Sequence, residues 1–197
     1  MADLELAVGD FHTVYRVLEA RTYSEGKFGA WTETSPASAT VLVYSDDPED
    51  YTEGTVESAT ATTVVDATFN EAADYWNGLS LRFTSGDCAG EVRAIGDFDG
   101  TTGTFSLAVT GDPLPATPAA GDTFRVLGYP IITLQDLASH ADGNLTTAYI
   151  AFNLTSATTN GVTATPGRKR VVITPTWTGA ASMANKRVWV YTVDVRP

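Results

Sequence analysis

Side chains suited to metal or nucleophile chemistry are scarce in this sequence. It holds two histidines, His12 and His140, one cysteine, Cys88, and 24 carboxylates in 197 residues. The histidines lie far apart and neither belongs to a recognisable motif. Structural zinc needs several Cys or His ligands, and three such residues in all are too few. Cys88 stands among Gly86, Asp87 and Gly90 with no basic neighbour to depress its pKa and generate a thiolate. It reads as a bystander thiol of a reducing cytoplasm, with cross-linking of two copies as the alternative. Phosphate-cradling glycine loops, G-x-S-x-G elbows and H-E-x-x-H pairs are missing from the sequence.

Two oxygen-rich or aromatic features remain. The run Asp97-Phe98-Asp99-Gly100-Thr101-Thr102-Gly103 offers oxygen ligands to Ca²⁺. It departs from an EF-hand loop, which places Gly at the sixth position and Glu at the twelfth, whereas Gly100 is fourth here and Ala108 twelfth. Asp-Gly and Thr-Gly are equally what a β-hairpin turn requires, and a turn is the expectation. Trp31, Trp76, Trp177 and Trp189 are candidate aromatic anchors. Flat rings can stack on sugars, but a Trp in a small β domain is more often a core or interface anchor. Paired acids spaced for glycoside hydrolysis do not stand out. The residues predict neither an enzyme, nor a cofactor, nor a metal centre.

Charge sharpens the expectation about partners. The net charge is −12, yet the last 55 residues hold six basic groups and one acidic group. Arg168, Lys169, Arg170, Lys186, Arg187 and Arg196 supply that positive end, and the first five form a candidate docking patch for an acidic surface, including that of a neighbouring copy. A solvated loop at Arg168 to Arg170 is the plainer reading. Overall acidity argues against nucleic acid, whose phosphates need a cationic field. The start, Met1-Ala2-Asp3-Leu4-Glu5, has neither the basic residues nor the apolar run of a secretory signal. Apolar stretches such as Val188 to Tyr191 are strand-sized, far short of the roughly 20 residues that cross a bilayer as a helix.

The elements that must position these residues are strands. Thirty threonines favour the pleated, half-buried surface of a sheet over a helix. Leu79, Leu81 and Phe83 alternate with Ser80, Arg82 and Thr84, as do Phe105, Leu107 and Val109 with their neighbours, the period-2 pattern of a half-buried strand. Val56 to Val65 reads as one Thr-rich strand. Asn70 to Gly78 reads as a helical or looping excursion closing on Asn-Gly at positive φ. Gly86 to Gly90 is a turn, and Gly121 to Val126 a closing strand. Thr133 to Leu137 reads as one helical turn capped by Thr133. The fold class predicted is all-β, an antiparallel β-barrel or sandwich module or modules with short helical turns. The predicted organisation is an N-terminal β segment over 1–50, a small antiparallel barrel over 51–128, and a C-terminal β unit over 129–197 suited to pairing with the N-terminal segment.

The order Tyr75-Trp76-Asn77-Gly78, Ser85-Gly86, Ala89-Gly90-Glu91-Val92-Arg93-Ala94-Ile95, Asp97-Phe98-Asp99-Gly100 and Gly121-Asp122-Thr123-Phe124 resembles a small β module recurrent in virion proteins of tailed bacteriophages. The likeness covers about 75–126. It implies a non-catalytic virion structural protein, made in the host bacterial cytoplasm and released by lysis. Capsid decoration is the favoured role, through self-association as a homo-oligomer, a trimer above all, and docking on the major capsid protein. The alternatives are a neck, tail or fibre-associated protein, or a glycan-binding host-recognition module. No nucleic-acid or membrane partner is expected.

Overall fold

A computed structural model describes residues 2–7, 12–17, 19–24, 27–33, 37–109, 113–141, 143–145, 149–154, 162, 165–176 and 189–196, and the side chains of 37–176 in large part and of 190–196. The described chain is built from strands, with a single 3₁₀ turn at Leu137–Ser139. It divides into two compact units. Unit 1 comprises 1–43 and 135–197, and unit 2 comprises 44–134, so the second is an insertion in the first.

The strands before the insertion are β1 (Ala2–Ala7), β2 (His12–Val17), β3 (Glu19–Ser24), β4 (Lys27–Glu33) and β5 (Ser38–Ser45). Those of the insertion are β6 (Tyr51–Thr55), β7 (Ser58–Ala59), β8 (Thr63–Val65), β9 (Ser80–Phe83), β10 (Val92–Asp99), β11 (Thr104–Leu107) and β12 (Thr123–Leu127). The chain returns through β13 (Pro130–Asp136) and ends with β14 (Gly143–Leu145), β15 (Tyr149–Leu154), β16 (Gly167–Thr176) and β17 (Trp189–Arg196).

Unit 2 is a closed barrel. Its hydrogen-bonded order is β6-β12-β9-β10-β11-β8-β7. The first and last members belong to one stretch of chain, 51–59, interrupted only at Val56 and Glu57. Val56 donates to the Asp122 carbonyl at 2.8 Å, on the β12 side, and Glu57 donates to the Val65 carbonyl at 2.8 Å, on the β8 side. One strand therefore seals both margins of the sheet, and closure removes the unpaired edges that an open sheet presents.

Inward alternation fills that barrel with aromatic rings. Leu81 and Phe83 are buried while Arg82 is exposed, and Phe105 and Leu107 are buried on the next pair of strands. Phe69 meets Phe105 edge-on at 5.0 Å and Trp76 at 5.7 Å, and Phe105 meets Phe98 at 4.8 Å and Phe124 at 5.7 Å. Such pairs contribute about 0.5–1.5 kcal/mol each beyond area burial. Gly54 on β6 is what lets the Phe124 ring in: a Cβ there would lie 2.3 Å from the ring's Cζ.

Three sequence expectations are corrected, one in the barrel and two in unit 1. Val56 to Val65 is not one strand. It folds back at Thr60, whose hydroxyl accepts from the amides of Thr62 and Thr63 at 3.2 and 3.1 Å. Threonine serves both strands and turns, and its local hydrogen bonds decide here. The turn near 133–137 falls later, at Leu137–Ser139. Asp136, not Thr133, caps it by accepting from Ala138 N at 2.8 Å. Arg168 to Arg170 lie within strand β16 rather than in a loop.

Unit 1 is held by strands distant in sequence. β1 pairs with β17 in parallel, with Leu4 opposite Val193, so the sheet is not wholly antiparallel. β16 pairs antiparallel with β17, and β2 with β15. Val171, Ile173, Val193 and Val195 are buried in the first of these sheets and Ile150, Phe152 and Leu154 in the second. β3 and β4 form a ribbon that joins no other described strand.

The Gly54–Phe124 contact gives a direct test. Gly54→Ala should lower the urea unfolding free energy by about 1–3 kcal/mol, the usual cost of overpacking. Its cost should shrink in a Phe124→Leu background, because the two side chains compete for one volume.

Candidate functional site

The structure separates the predicted basic patch. β16 alternates, so Arg168 is exposed, Lys169 is 3% exposed on the core side and Arg170 is half-buried. Burying an ammonium costs several kcal/mol unless it is hydrogen-bonded. The Lys169 Nζ donates to the Thr165 carbonyl, and its strand partner is Val193. Lys169 is thus a core residue, and only Arg168 and Arg170 share a face. Arg168 lies opposite Asp194, which forms an ion pair with Arg196 at 3.8 Å. Lys186 and Arg187 lie outside the described residues.

The aromatic anchors fare similarly. Trp76 is 2% exposed in the barrel core, and its indole Nε1 donates to Glu71 Oε2 at 3.0 Å. It offers no platform to a sugar. Trp31 and Trp189 have strand backbones in β4 and β17, their side chains falling outside the described residues together with the whole of Trp177. His12 stands on β2 opposite Leu154, and His140 packs edge-on against Phe152 at 5.3 Å. Cys88 is buried, its thiol against the Ala116 carbonyl at 3.2 Å.

Of the Asp97–Gly103 run, Asp97 to Asp99 end strand β10 and Gly100 to Gly103 form the β10–β11 hairpin turn. Asp99 spends both oxygens on it: Oδ1 accepts from Thr101 N at 2.9 Å and Oδ2 from Thr102 Oγ1 at 2.9 Å. The backbone donor at Thr101, followed by the Thr102 hydroxyl, lowers the Asp99 pKa below the ordinary aspartate value. Gly103 adopts φ +64°, and a Cβ there would collide with the Asp66 carbonyl oxygen. Among the described residues no group of three or more His, Cys, Asp or Glu is placed to hold a metal ion.

Two clefts lined by described residues open on the barrel. The larger, about 400 Å³, is lined by Glu53, Gly54, Glu57, Asp66, Thr68 and Phe124 among others. Its buried carboxylate is structural. Asp66 accepts from Thr55 N at 2.7 Å through Oδ2, and from Thr68 N at 3.0 Å and Thr68 Oγ1 at 2.6 Å through Oδ1.

The second cleft, about 310 Å³, lies over the outer face of β6, β12 and β9 and is lined by Pro48, Tyr51, Arg82, Thr84, Gly90 and Arg125 among others. Strand register sets Glu53, Arg125 and Arg82 side by side in one row across these strands, with Val92 of β10 beyond. Arg125 donates to Glu53 Oε1 through Nε at 3.1 Å and Nη2 at 2.7 Å, and its guanidinium lies 3.9 Å over the Tyr51 ring. The hydrogen bond to Glu53 raises the Arg125 pKa above its ordinary value. Alternation around Leu81 and Phe83 marks Arg82 as outward, but only strand register reveals the second arginine opposite it.

Comparison with protein families, with curated proteins and with solved structures finds no match to this chain. The class is therefore defined by the fold itself, an all-β protein in which a closed barrel is inserted into a second unit whose described sheets are open.

The Asp99 bonds predict a pH response. Its folded pKa lies below the unfolded value of about 3.9, so its stabilisation is complete above that value. It is lost as pH falls through the folded pKa. Carboxyl-resolved NMR titration should find Asp99 titrating below the ordinary aspartate value of about 3.9. Thr102→Val should move that midpoint upward while the turn persists.

Proposed function

We propose that this chain is a non-enzymatic structural protein of a tailed-bacteriophage particle, decorating and stabilising the capsid surface as a homo-oligomer docked on the major capsid protein. The observation carrying the reading is the contrast between the two units. Unit 2 is a closed barrel with 15 acidic and 3 basic residues, net −12. Unit 1 holds 9 acidic and 9 basic residues, net 0, and its described sheets end in unpaired strands. Open edges invite pairing with another chain, whereas a closed, strongly acidic module resists it and keeps free copies soluble. Association belongs to unit 1.

The β3–β4 ribbon is the most exacting part of that argument. A two-stranded ribbon is marginal alone in water and gains stability by adding to another sheet. In a symmetric oligomer each copy can supply a ribbon to its neighbour. The resemblance across 75–126 to a small β module of tailed-bacteriophage virion proteins supports the same reading.

Light scattering of the purified chain at several concentrations should give a closed oligomer, a trimer above all. Replacing 19–33 by a short Gly-Ser linker should yield monomers whose barrel core, followed by the near-ultraviolet signal of Trp76, melts as before. Added to empty heads, the intact chain should bind at a fixed stoichiometry and protect them against heat. A strict monomer that leaves heads unchanged overturns decoration, and a few copies per particle reassigns the chain to the neck or tail.

A further inference from the structure

Arg82 is the anomaly of unit 2. The unit contains three arginines amid 15 acidic residues. Arg93 pairs with Glu91 at 2.7 Å and Arg125 with Glu53 at 2.7 Å. Arg82 makes no hydrogen bond or ion pair with any described residue. Its cross-strand neighbours are Arg125 on one side and Val92, 45% exposed, on the other. Like charges directly opposite one another in an antiparallel pair are destabilising. The sheet carries that repulsion where its outer face is hollowed into the smaller of the two clefts.

Chemistry narrows what would relieve it. Glu53 already engages the Nε and Nη2 edge of Arg125, and Glu49 adds a further negative charge near that guanidinium. One cation, Arg82, is left to be neutralised. A guanidinium presents a planar fork that fits a carboxylate bidentately. Within a unit of net charge −12, a monoanion is repelled less than a dianion such as phosphate. A volume of about 310 Å³ lies at the lower limit of ordinary ligand pockets, about 300–1,000 Å³, and suits a body of monosaccharide size. The Thr84 hydroxyl bonds the Thr123 hydroxyl at 2.7 Å and, with two lone pairs and one proton, keeps capacity for one more partner. The wall at Gly90 carries no side chain, and a Cβ there would meet nothing within 4 Å, which leaves room for a ring bearing hydroxyls.

We propose that the Arg82–Arg125 cleft is a binding site for a sugar acid, in which the Arg82 fork holds the carboxylate and the Thr84 and Gly90 side receives the hydroxylated ring. The site lies wholly within unit 2 and is independent of the particle reading, since a decoration, tail or free protein could carry it equally.

The full-length protein, ¹⁵N-labelled, would be titrated separately with methyl glucuronide, methyl glucoside, a blocked Glu-Glu dipeptide and inorganic phosphate. Methyl glucuronide should shift the amides of β9, β12 and the Gly90 turn, with a dissociation constant on the order of 1 mM. The neutral glucoside should not. Arg82→Ala should weaken the glucuronide by about tenfold or more, while its melting temperature stays equal to or above that of the parent because the repulsion is gone. Arg82→Lys, which keeps the charge but loses the fork, should fall between. The proposal is overturned by any of three results: no glucuronide shifts, undiminished shifts in Arg82→Ala, or a dipeptide or phosphate binding as well as the glucuronide. A dipeptide that binds alone would reassign the cleft to docking of an acidic protein segment.

Discussion

Closure of the barrel at residues 51–59 is the constraint on which the architecture of unit 2 turns. A single extended stretch gives its first half to β12 and its second half to β8, with Val56 and Glu57 as the hinge between the two partners. Because the sheet closes, the inward residues of six strand positions around the ring face one another across a narrow interior. Six large rings fill it: Phe69, Trp76, Phe83, Phe98, Phe105 and Phe124. The same closure forces the polar residues outward, and that is how Arg82 and Arg125 come to share a face. Packing inside and charge placement outside are thus two consequences of one backbone geometry.

The buried carboxylate of Asp66 belongs to this closure. A carboxylate 3% exposed is tolerable only when its lone pairs are filled, and its three hydrogen bonds come from Thr55, the last residue of β6, and from Thr68 in the following loop. Asp66 therefore fastens the strand that seals the barrel to the segment that brings Phe69 into the core. The Gly103 backbone touches the Asp66 carbonyl so closely that no side chain fits. Turn, carboxylate and ring cluster make a single locked corner.

How far the sequence foretold this depended on whether one residue served one role. The β9 alternation was legible because Leu81 and Phe83 can only face inward and Arg82 only outward. The Asp99 turn was legible because Asp-Gly and Thr-Gly have few other uses. The Thr-rich run 56–65 misled, since threonine stabilises a strand and also caps a turn, and only tertiary pairing chooses. Arg168-Lys169-Arg170 misled for the converse reason: a charge run suggests solvent, yet β16 turns Lys169 inward, where a backbone carbonyl receives it. The parallel β1–β17 pair joins residues nearly two hundred positions apart, and no local pattern encodes such a pairing.

The candidate site shows the same limit most sharply. Arg82 and Arg125 are 43 residues apart and unremarkable singly. Their meaning arises from register, which is fixed by the hydrophobic faces of β9 and β12: a slip of one residue would turn Leu81, Phe83, Phe124 and Val126 outward together. The core thus enforces the like-charge pair at its surface, because relieving the repulsion by slippage would expose four buried apolar side chains. Losing even one such burial costs about 1.5–3 kcal/mol, more than an exposed like-charge contact does. Two cations can therefore be held together by a core indifferent to their repulsion, and with Arg125 already bonded to Glu53, the surface at Arg82 is disposed to receive an anion from outside.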